Sequence, residues 1–243
     1  MSHLRCNTVL RLLLILGSMF LAASLWAQQR PPVVEKLAKT YGFDSYGQVE
    51  AIRYTFNVQF PGVSVSRSWI WEPKTGQVTF EGKDKSGKPM KVTYLRSQLS
   101  SQAAEVKDEV DPNFVNDNYW LIFPFHVYWD ASAAVTDEGM QKLPLGKGSA
   151  AKVVVKYPSG GGYTPGDTWT LYVAKDGRVE DFEYDSGGAN KRVLISTWTG
   201  YKMAGPLLIS TEHRGTINGK PFHQWFTGVA VKQVGSSTWM DAK

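Results

Sequence analysis

The chain has 243 residues, of which 42% are hydrophobic, 20% charged and 13% aromatic, with nine Trp. These values exclude a disordered chain, in which few aromatic side chains and a high net charge are typical. The formal net charge of +5 is mild for a chain of this length, so a nucleic-acid partner is not expected.

Residues 1–27 are predicted to be a cleaved signal peptide. The apolar run Leu12–Leu21 follows basic residues, and small residues lead up to Ala27. This run is shorter than the roughly 20 residues that cross a bilayer. Cys6, the only cysteine, precedes the run, so no lipid anchor is expected. We therefore expect a periplasmic or secreted protein of the bacterial cell envelope, with no membrane span after cleavage and a single domain over residues 28–243.

A short helix and a four-stranded meander are predicted next. Val33–Tyr41 places apolar residues at helical spacing, and Gly42 follows as a stop signal. From Glu50 the hydrophobic period changes to two, which is typical of strands. The first of these alternating segments are separated by turn residues such as Pro61-Gly62. The predicted strands cover residues 50–60, 63–71, 77–81 and 90–94.

A helical insertion near 98–123 interrupts the strands. Residues 98–110 are polar and compatible with a helix, and Phe114–Phe123 carries apolar residues at helical spacing. Pro124 is expected to end this helix, because proline lacks the amide that the helix interior needs.

Strands are then predicted to resume, with Asp176-Gly177 and Asn218-Gly219 as hairpin turns. The count of ten or eleven antiparallel strands gives a mainly β (α+β) fold. A sheet of that many twisted strands is expected to curl into a half-barrel, with the helices on its concave face. The predicted strands of this second set cover residues 152–157, 168–174, 178–184, 192–198, 207–214 and 222–234.

Aromatic side chains recur on successive strands of the meander and in the insertion. Rings at such positions suit either a packed core or a cavity for an acyl chain, and the pattern leaves both alternatives open. If they line a cavity, the ligand-binding residues are Tyr54, Phe56, Trp69, Trp71, Phe80, Tyr94, Trp120 and Phe123.

No catalytic residue, metal site or cofactor is predicted. His126, His213 and His223 lack a metal-ligand spacing, and we interpret them as structural. The acidic run Asp108, Glu109 and Asp111 misses the spacing of a calcium loop. Asp181 and Glu183 share one face of a predicted strand and are the best candidates for a carboxylate pair. Enzyme activity is therefore uncertain and the less favoured interpretation.

Three phrases and the order of elements carry a resemblance to a known superfamily. The phrases are RSWIWEPKTGQV (Arg67–Val78), NDNYWLIFPF (Asn116–Phe125) and the glycine-rich segment of residues 157–167. Together they resemble the LolA/LolB-like periplasmic lipoprotein carriers and their uncharacterised exported relatives. The resemblance implies a half-barrel that carries a hydrophobic ligand, with Arg53 or Arg67 as the arginine that holds the closed state.

The resulting hypothesis is an exported protein that binds a lipid, acyl chain or lipoprotein in an aromatic-lined concave face. Its expected partners are a hydrophobic small molecule or lipid, and a lipoprotein or another envelope protein. Two alternatives belong to other classes. One is a hydrolase with spatially assembled carboxylates, and the other is a small outer-membrane β-barrel. The barrel is disfavoured because several strands carry charge on both faces.

Overall fold

The computed structural model of the protein describes residues 30–160, 165–188 and 191–243. The predicted signal peptide, with Cys6, lies outside the described residues, as does part of the glycine-rich segment. Among the described helices, none is both long enough and apolar enough to cross a bilayer.

The chain begins with the short helix that the apolar spacing predicts. This helix, α1, spans Pro32–Thr40 and buries Val34, Leu37 and Ala38. Gly42 follows it with φ of +95°, and a Cβ there would collide with the carbonyl oxygen of Pro206. Glycine is therefore required both for the left-handed turn and for the close approach to the backbone of Pro206.

The predicted fold class is confirmed: the described chain is mainly antiparallel β with a few helices. Its thirteen described strands form one open, uncurled sheet, with β4 and β5 as its two edges, so the half-barrel expected from the number of strands is not observed. The strands are β1 Val49–Phe60, β2 Val63–Glu72, β3 Gln77–Lys83, β4 Pro89–Leu95, β5 Ala134–Lys142, β6 Ser149–Lys156, β7 Thr168–Val173, β8 Val179–Asp185, β9 Val193–Thr197, β10 Thr199–Ala204, β11 Leu207–Ile217, β12 Lys220–Gln233 and β13 Trp239–Asp241.

The sheet consists of two meanders joined in its middle. Its order is β4-β3-β2-β1-β12-β11-β9-β8-β7-β6-β5, with β10 on β11 and β13 on β12. The join is the pair β1 and β12, where Phe56 lies opposite Phe226. The hairpin between β11 and β12 turns at Asn218 and Gly219, both with positive φ, as the Asn-Gly pair predicts.

Strands β5, β10 and β13 are additional to the predicted set. β5 lies at one edge of the sheet and exposes almost every residue, including Asp137 and Glu138. Its sequence lacks apolar alternation because neither face is buried. The charges on it are typical of an edge strand protected from further pairing.

The helical insertion is confirmed, but the prediction that Pro124 ends it is wrong. A 3₁₀ segment (Arg96–Ser101) and a π-helical turn (Val106–Val110) lead into α2, which spans Asp111–Trp129. Ile122 has φ of −125° and ψ of 26°, so the helix is irregular just before Pro124. That irregularity accommodates the proline, and the chain resumes helical turns beyond it.

Helix α2 covers one face of the sheet and is buried on nearly all sides. Its side chains contact strands of both meanders: Phe114 reaches Trp69 in β2, and Phe123 stacks on Trp169 in β7. Its C-terminal half, from Leu121 onward, is apolar on nearly all sides, which is typical of a core element. α2 therefore decides which parts of the sheet face are filled and which are open.

Candidate functional site

Most of the predicted ligand-binding rings lie in a packed core beneath α2. Trp69 is 4.8 Å from Phe80 and 5.5 Å from Phe114 of the helix, centroid to centroid. Trp71 also contacts Phe114, at 5.9 Å, and the Tyr94 hydroxyl donates a hydrogen bond to Asp111 of α2. Neither these residues nor Tyr54 contributes to the cleft described below.

The two predicted rings of α2 pack against the second meander. Phe123 stacks on Trp169 with centroids 4.1 Å apart and is fully buried. Trp120 meets Phe182 edge to face at 5.1 Å. Phe123 therefore belongs to the core, whereas Trp120 also borders open space.

A buried ion pair fastens α2 to β2. The Arg67 guanidinium donates to both carboxylate oxygens of Asp117 at 2.7 and 2.6 Å, and the Trp69 indole donates to the same carboxylate at 2.8 Å. Burial raises the pKa of Asp117 above its ordinary value, and Arg67 opposes that effect. Of the two arginines considered from the sequence, only Arg67 binds the helix, because Arg53 pairs with Asp241.

A cleft of about 440 Å³ opens between the N-terminal half of α2 and the sheet. Several of its lining residues are only half-buried, among them Phe60, Val63 and Ile217, so it is open to solvent. Its lining is mainly aromatic and aliphatic. The apolar and aromatic lining residues are Phe56, Val58, Phe60, Val63, Val65, Val115, Tyr119, Trp120, Trp169, Tyr184, Leu194, Ile217 and Phe222.

Of the eight predicted ligand-binding residues, the cleft includes only Phe56 and Trp120. The predicted set does not include the wall that the second meander supplies, which contains Trp169, Leu194 and Phe222. A signal for this wall exists in the apolar alternation of the strands that follow residue 167. The two walls consist of residues far apart in the chain, so local periodicity cannot predict that they face each other.

Polar residues gather where β7, β8 and β9 meet the cleft. The carboxylate of Asp167 accepts hydrogen bonds from the Tyr184 hydroxyl at 2.9 Å and from the amide of Gly187 at 2.8 Å. Burial is the main cause that raises the pKa of Tyr184, and the nearby charge of Asp167 raises it further, so this phenol stays protonated. Arg192 is exposed and also lines the cleft.

The three histidines have different surroundings. His126 lies 3.1 Å from Asp130, which also accepts hydrogen bonds from the Tyr119 and Tyr157 hydroxyls. Burial opposes ionisation of Asp130, but these hydrogen bonds and the charge of His126 lower its pKa overall. This cluster joins the C-terminal end of α2 to the end of β6.

His213 is fully buried, and burial lowers its pKa to about 3. One ring nitrogen lies 3.3 Å from the Thr197 carbonyl oxygen, and Trp198 packs on the ring. His223 instead pairs with Glu212 at 2.7 Å on the sheet. The histidines thus occupy three separate places in the fold.

Most of the acidic residues considered as catalytic or calcium-binding candidates have local partners. Asp181 accepts hydrogen bonds from the amides of Leu145 and Gly146, and Glu183 accepts one from the Tyr172 hydroxyl. Asp111 is buried beside Arg96, whereas Asp108 is exposed. In the part of the chain that the structure describes, no three His, Cys, Asp or Glu side chains are grouped as a metal site would require.

A second depression, of about 720 Å³, adjoins the cleft at the β1–β2 hairpin. The two share Phe60, Val63 and Phe222. The rest of the depression is formed by turn and polar residues, including Gln59 and Arg214, and helix α2 does not contribute to it. An elongated apolar ligand is therefore better matched by the cleft.

Comparisons with known proteins leave the family open. No family model matches the sequence, and no curated protein does. Among solved structures, a DUF1329 family protein from Desulfovibrio piger is 10% identical, with a TM-score of 0.44 over 84% of this chain and 93% of that one. The Mycobacterium tuberculosis lipoprotein LppX is 9% identical, with a TM-score of 0.32 over 86% of this chain and 98% of that one. Likeness at this level carries no argument about function, and the resemblance to LolA/LolB-like carriers stays a prediction.

Proposed function

We propose that this protein is exported and binds the apolar chain of a lipid or acylated molecule in the cleft between α2 and the sheet. The observation that carries the proposal is the cleft itself, with its volume of about 440 Å³ and its largely apolar lining. Small-molecule sites commonly measure about 300–1,000 Å³ and combine apolar walls with a few polar groups.

Burial of aliphatic carbons supplies the driving force for binding. Each methylene moved from water into an apolar site contributes about 0.8 kcal/mol. Trp120 and Trp169 are themselves in edge-to-face contact at 5.4 Å, and together they form a firm aromatic wall. An extended acyl chain can lie against this wall on one side and against Phe56, Val58 and Val65 on the other.

The polar clasp at Arg67 and Asp117 supports the same proposal. It holds α2 against β2 next to the cleft, so the helix and sheet walls keep their separation without a ligand. A pre-formed site of this kind loses less conformational freedom on binding than one that must first assemble.

Filling the cleft should abolish binding without unfolding the protein. Val65 lines the cleft and is only partly buried, so Val65→Trp places an indole in the cleft volume. Titration with a brominated fatty acid, followed by quenching of tryptophan fluorescence, should show binding to the wild type and at least a tenfold weaker affinity in this variant.

Val92→Trp is the matched control. Val92 is also partly buried, and it lies on β4 away from the cleft. This variant should bind like the wild type, and thermal melts of both variants establish that each is folded. Equal binding by folded Val65→Trp and wild type, or no binding by the wild type, would overturn the proposal.

A further inference from the structure

Two arginines line the cleft, and they differ in whether another side chain neutralises them. Arg67 donates both of its hydrogen bonds to Asp117 and lies over the Phe56 ring at 5.1 Å. Its charge is thus balanced within the protein. Arg192 forms no ion pair with any residue that the structure describes.

Neither Asp167, which also lines the cleft, nor Asp185 forms an ion pair with Arg192. Asp167 receives two hydrogen bonds, from the Tyr184 hydroxyl and the Gly187 amide. Asp185 pairs at 2.8 Å with Lys191, which directly precedes Arg192 in the chain. Within the described residues, Arg192 is therefore the cleft-lining cation without a carboxylate partner, and the charge of Asp167, whose two donors are neutral, remains in the same lining.

From this charge arrangement we infer that the ligand is a single-chain amphiphile with an anionic head group, whose carboxylate or phosphate binds Arg192 while its chain lies in the apolar cleft. The inference rests on the proposed function and adds the chemistry of the head group. Guanidinium groups suit such heads because their planar array of donors matches two acceptor oxygens.

The arrangement also sets the orientation of the ligand. Arg192 lies directly before β9, whose residue Leu194 lines the cleft, so the head group is held beside the β8–β9 end of the site. The chain then runs toward Trp120 and Phe56. Because Arg192 is exposed, its attraction is screened by water and salt, and its contribution to affinity is modest.

The test compares two ligands of equal chain length, 11-bromoundecanoate and 11-bromoundecanol, at neutral pH. Both are followed by bromine quenching of tryptophan fluorescence, since Trp120 and Trp169 line the cleft. The wild type should bind the acid about fivefold more tightly than the alcohol. Arg192→Met should remove that preference, so that the acid binds no more tightly than the alcohol.

Lys191→Met is the matched control, because it removes the same charge from the adjacent residue, which does not line the cleft. It should retain the preference for the acid. Millimolar inorganic phosphate should not displace the acid, since free phosphate lacks the chain; displacement would identify a site for small anions and overturn the amphiphile inference.

The two proposals fail in different ways. If acid and alcohol bind equally, or if the two substitutions weaken binding of the acid to the same extent, the head-group inference is overturned and acyl binding in the cleft survives. If neither ligand quenches the fluorescence, the proposed function is overturned, and the head-group inference is overturned with it.

Discussion

Two regions beneath α2 carry the same kind of residue and differ in what fills them. Over β2 and β3, the helix supplies Phe114, which packs against Trp69, and the space is closed. Over the β1–β2 hairpin and the second meander, the helix supplies smaller or polar side chains such as Asn113 and Asn116, and a cleft remains. Aromatic residues on a sheet therefore do not by themselves indicate a ligand site.

The difference depends on the covering helix more than on the sheet. Phe56 and Phe80 are both aromatic, both almost fully buried and both on the first meander. Only Phe56 borders the cleft, because the part of α2 that faces it leaves a gap. Substitutions in the two regions should therefore differ in their effect on stability.

The largest effect is expected where α2 is clasped to β2. Asp117→Asn leaves the Arg67 charge without its partner in a largely buried position, and we expect a loss of about 3–5 kcal/mol in the free energy of unfolding. Chemical denaturation measures this loss. Asp185→Asn, which breaks an exposed ion pair with Lys191, should cost less than about 1 kcal/mol; equal losses would show that the clasp has no special role.

A smaller effect should separate the closed region from the open one. Phe80→Ala creates a cavity within packed side chains and should cost about 3–5 kcal/mol. Phe56→Ala should cost about 1–2 kcal/mol less than Phe80→Ala, because one side of Phe56 already faces the cleft and the new space joins it. Denaturant midpoints at constant m-value test this difference, and a larger loss for Phe56→Ala would contradict the assignment.

The smallest effect concerns the pH dependence of stability at His213, which is buried in contact with the rings of Trp120 and Phe226. Burial lowers the folded-state pKa of His213 to about 3, from an ordinary value of 6.5. Below pH 6.5 the unfolded chain therefore binds a proton that the folded protein does not. The free energy of unfolding therefore carries no penalty from His213 above pH 6.5, and it decreases as the pH falls below that value.

His213→Phe should reduce the fall in unfolding free energy between pH 6.5 and 5 by about 1 kcal/mol per pH unit. Denaturation at several pH values measures the slope in the wild type and in the variant. His223→Gln is the comparison, since His223 is only partly buried and paired with Glu212. An unchanged slope in His213→Phe would mean that this ring is not held neutral.

Much of the fold could be predicted from the sequence because its strands alternate and its turns have characteristic residues. Helix α1, the first meander and the Asn218-Gly219 hairpin follow from such local signals. The exposed edge strand β5 could not be predicted in this way, since it buries neither face. The continuation of α2 past Pro124 depends on tertiary packing that supports an irregular turn at Ile122.

The candidate site was less predictable than the fold. Phe56 and Trp120 belong to both the predicted set and the cleft, whereas Trp169, Leu194 and Phe222 come from strands more than 100 residues beyond β1. Which rings face a cavity depends on how α2 lies across both meanders. That placement results from long-range contacts such as Arg67 with Asp117, which no local pattern specifies.

The proposed function requires that an apolar chain enter the space beside Trp120 and Trp169. A crystal structure of the protein with 11-bromoundecanoate tests it most directly, because the anomalous signal of bromine locates the end of the chain. A bromine peak is expected inside the cleft, among Phe56, Trp120 and Trp169. A peak elsewhere on the molecule, or ligand density that leaves the cleft empty, would contradict it.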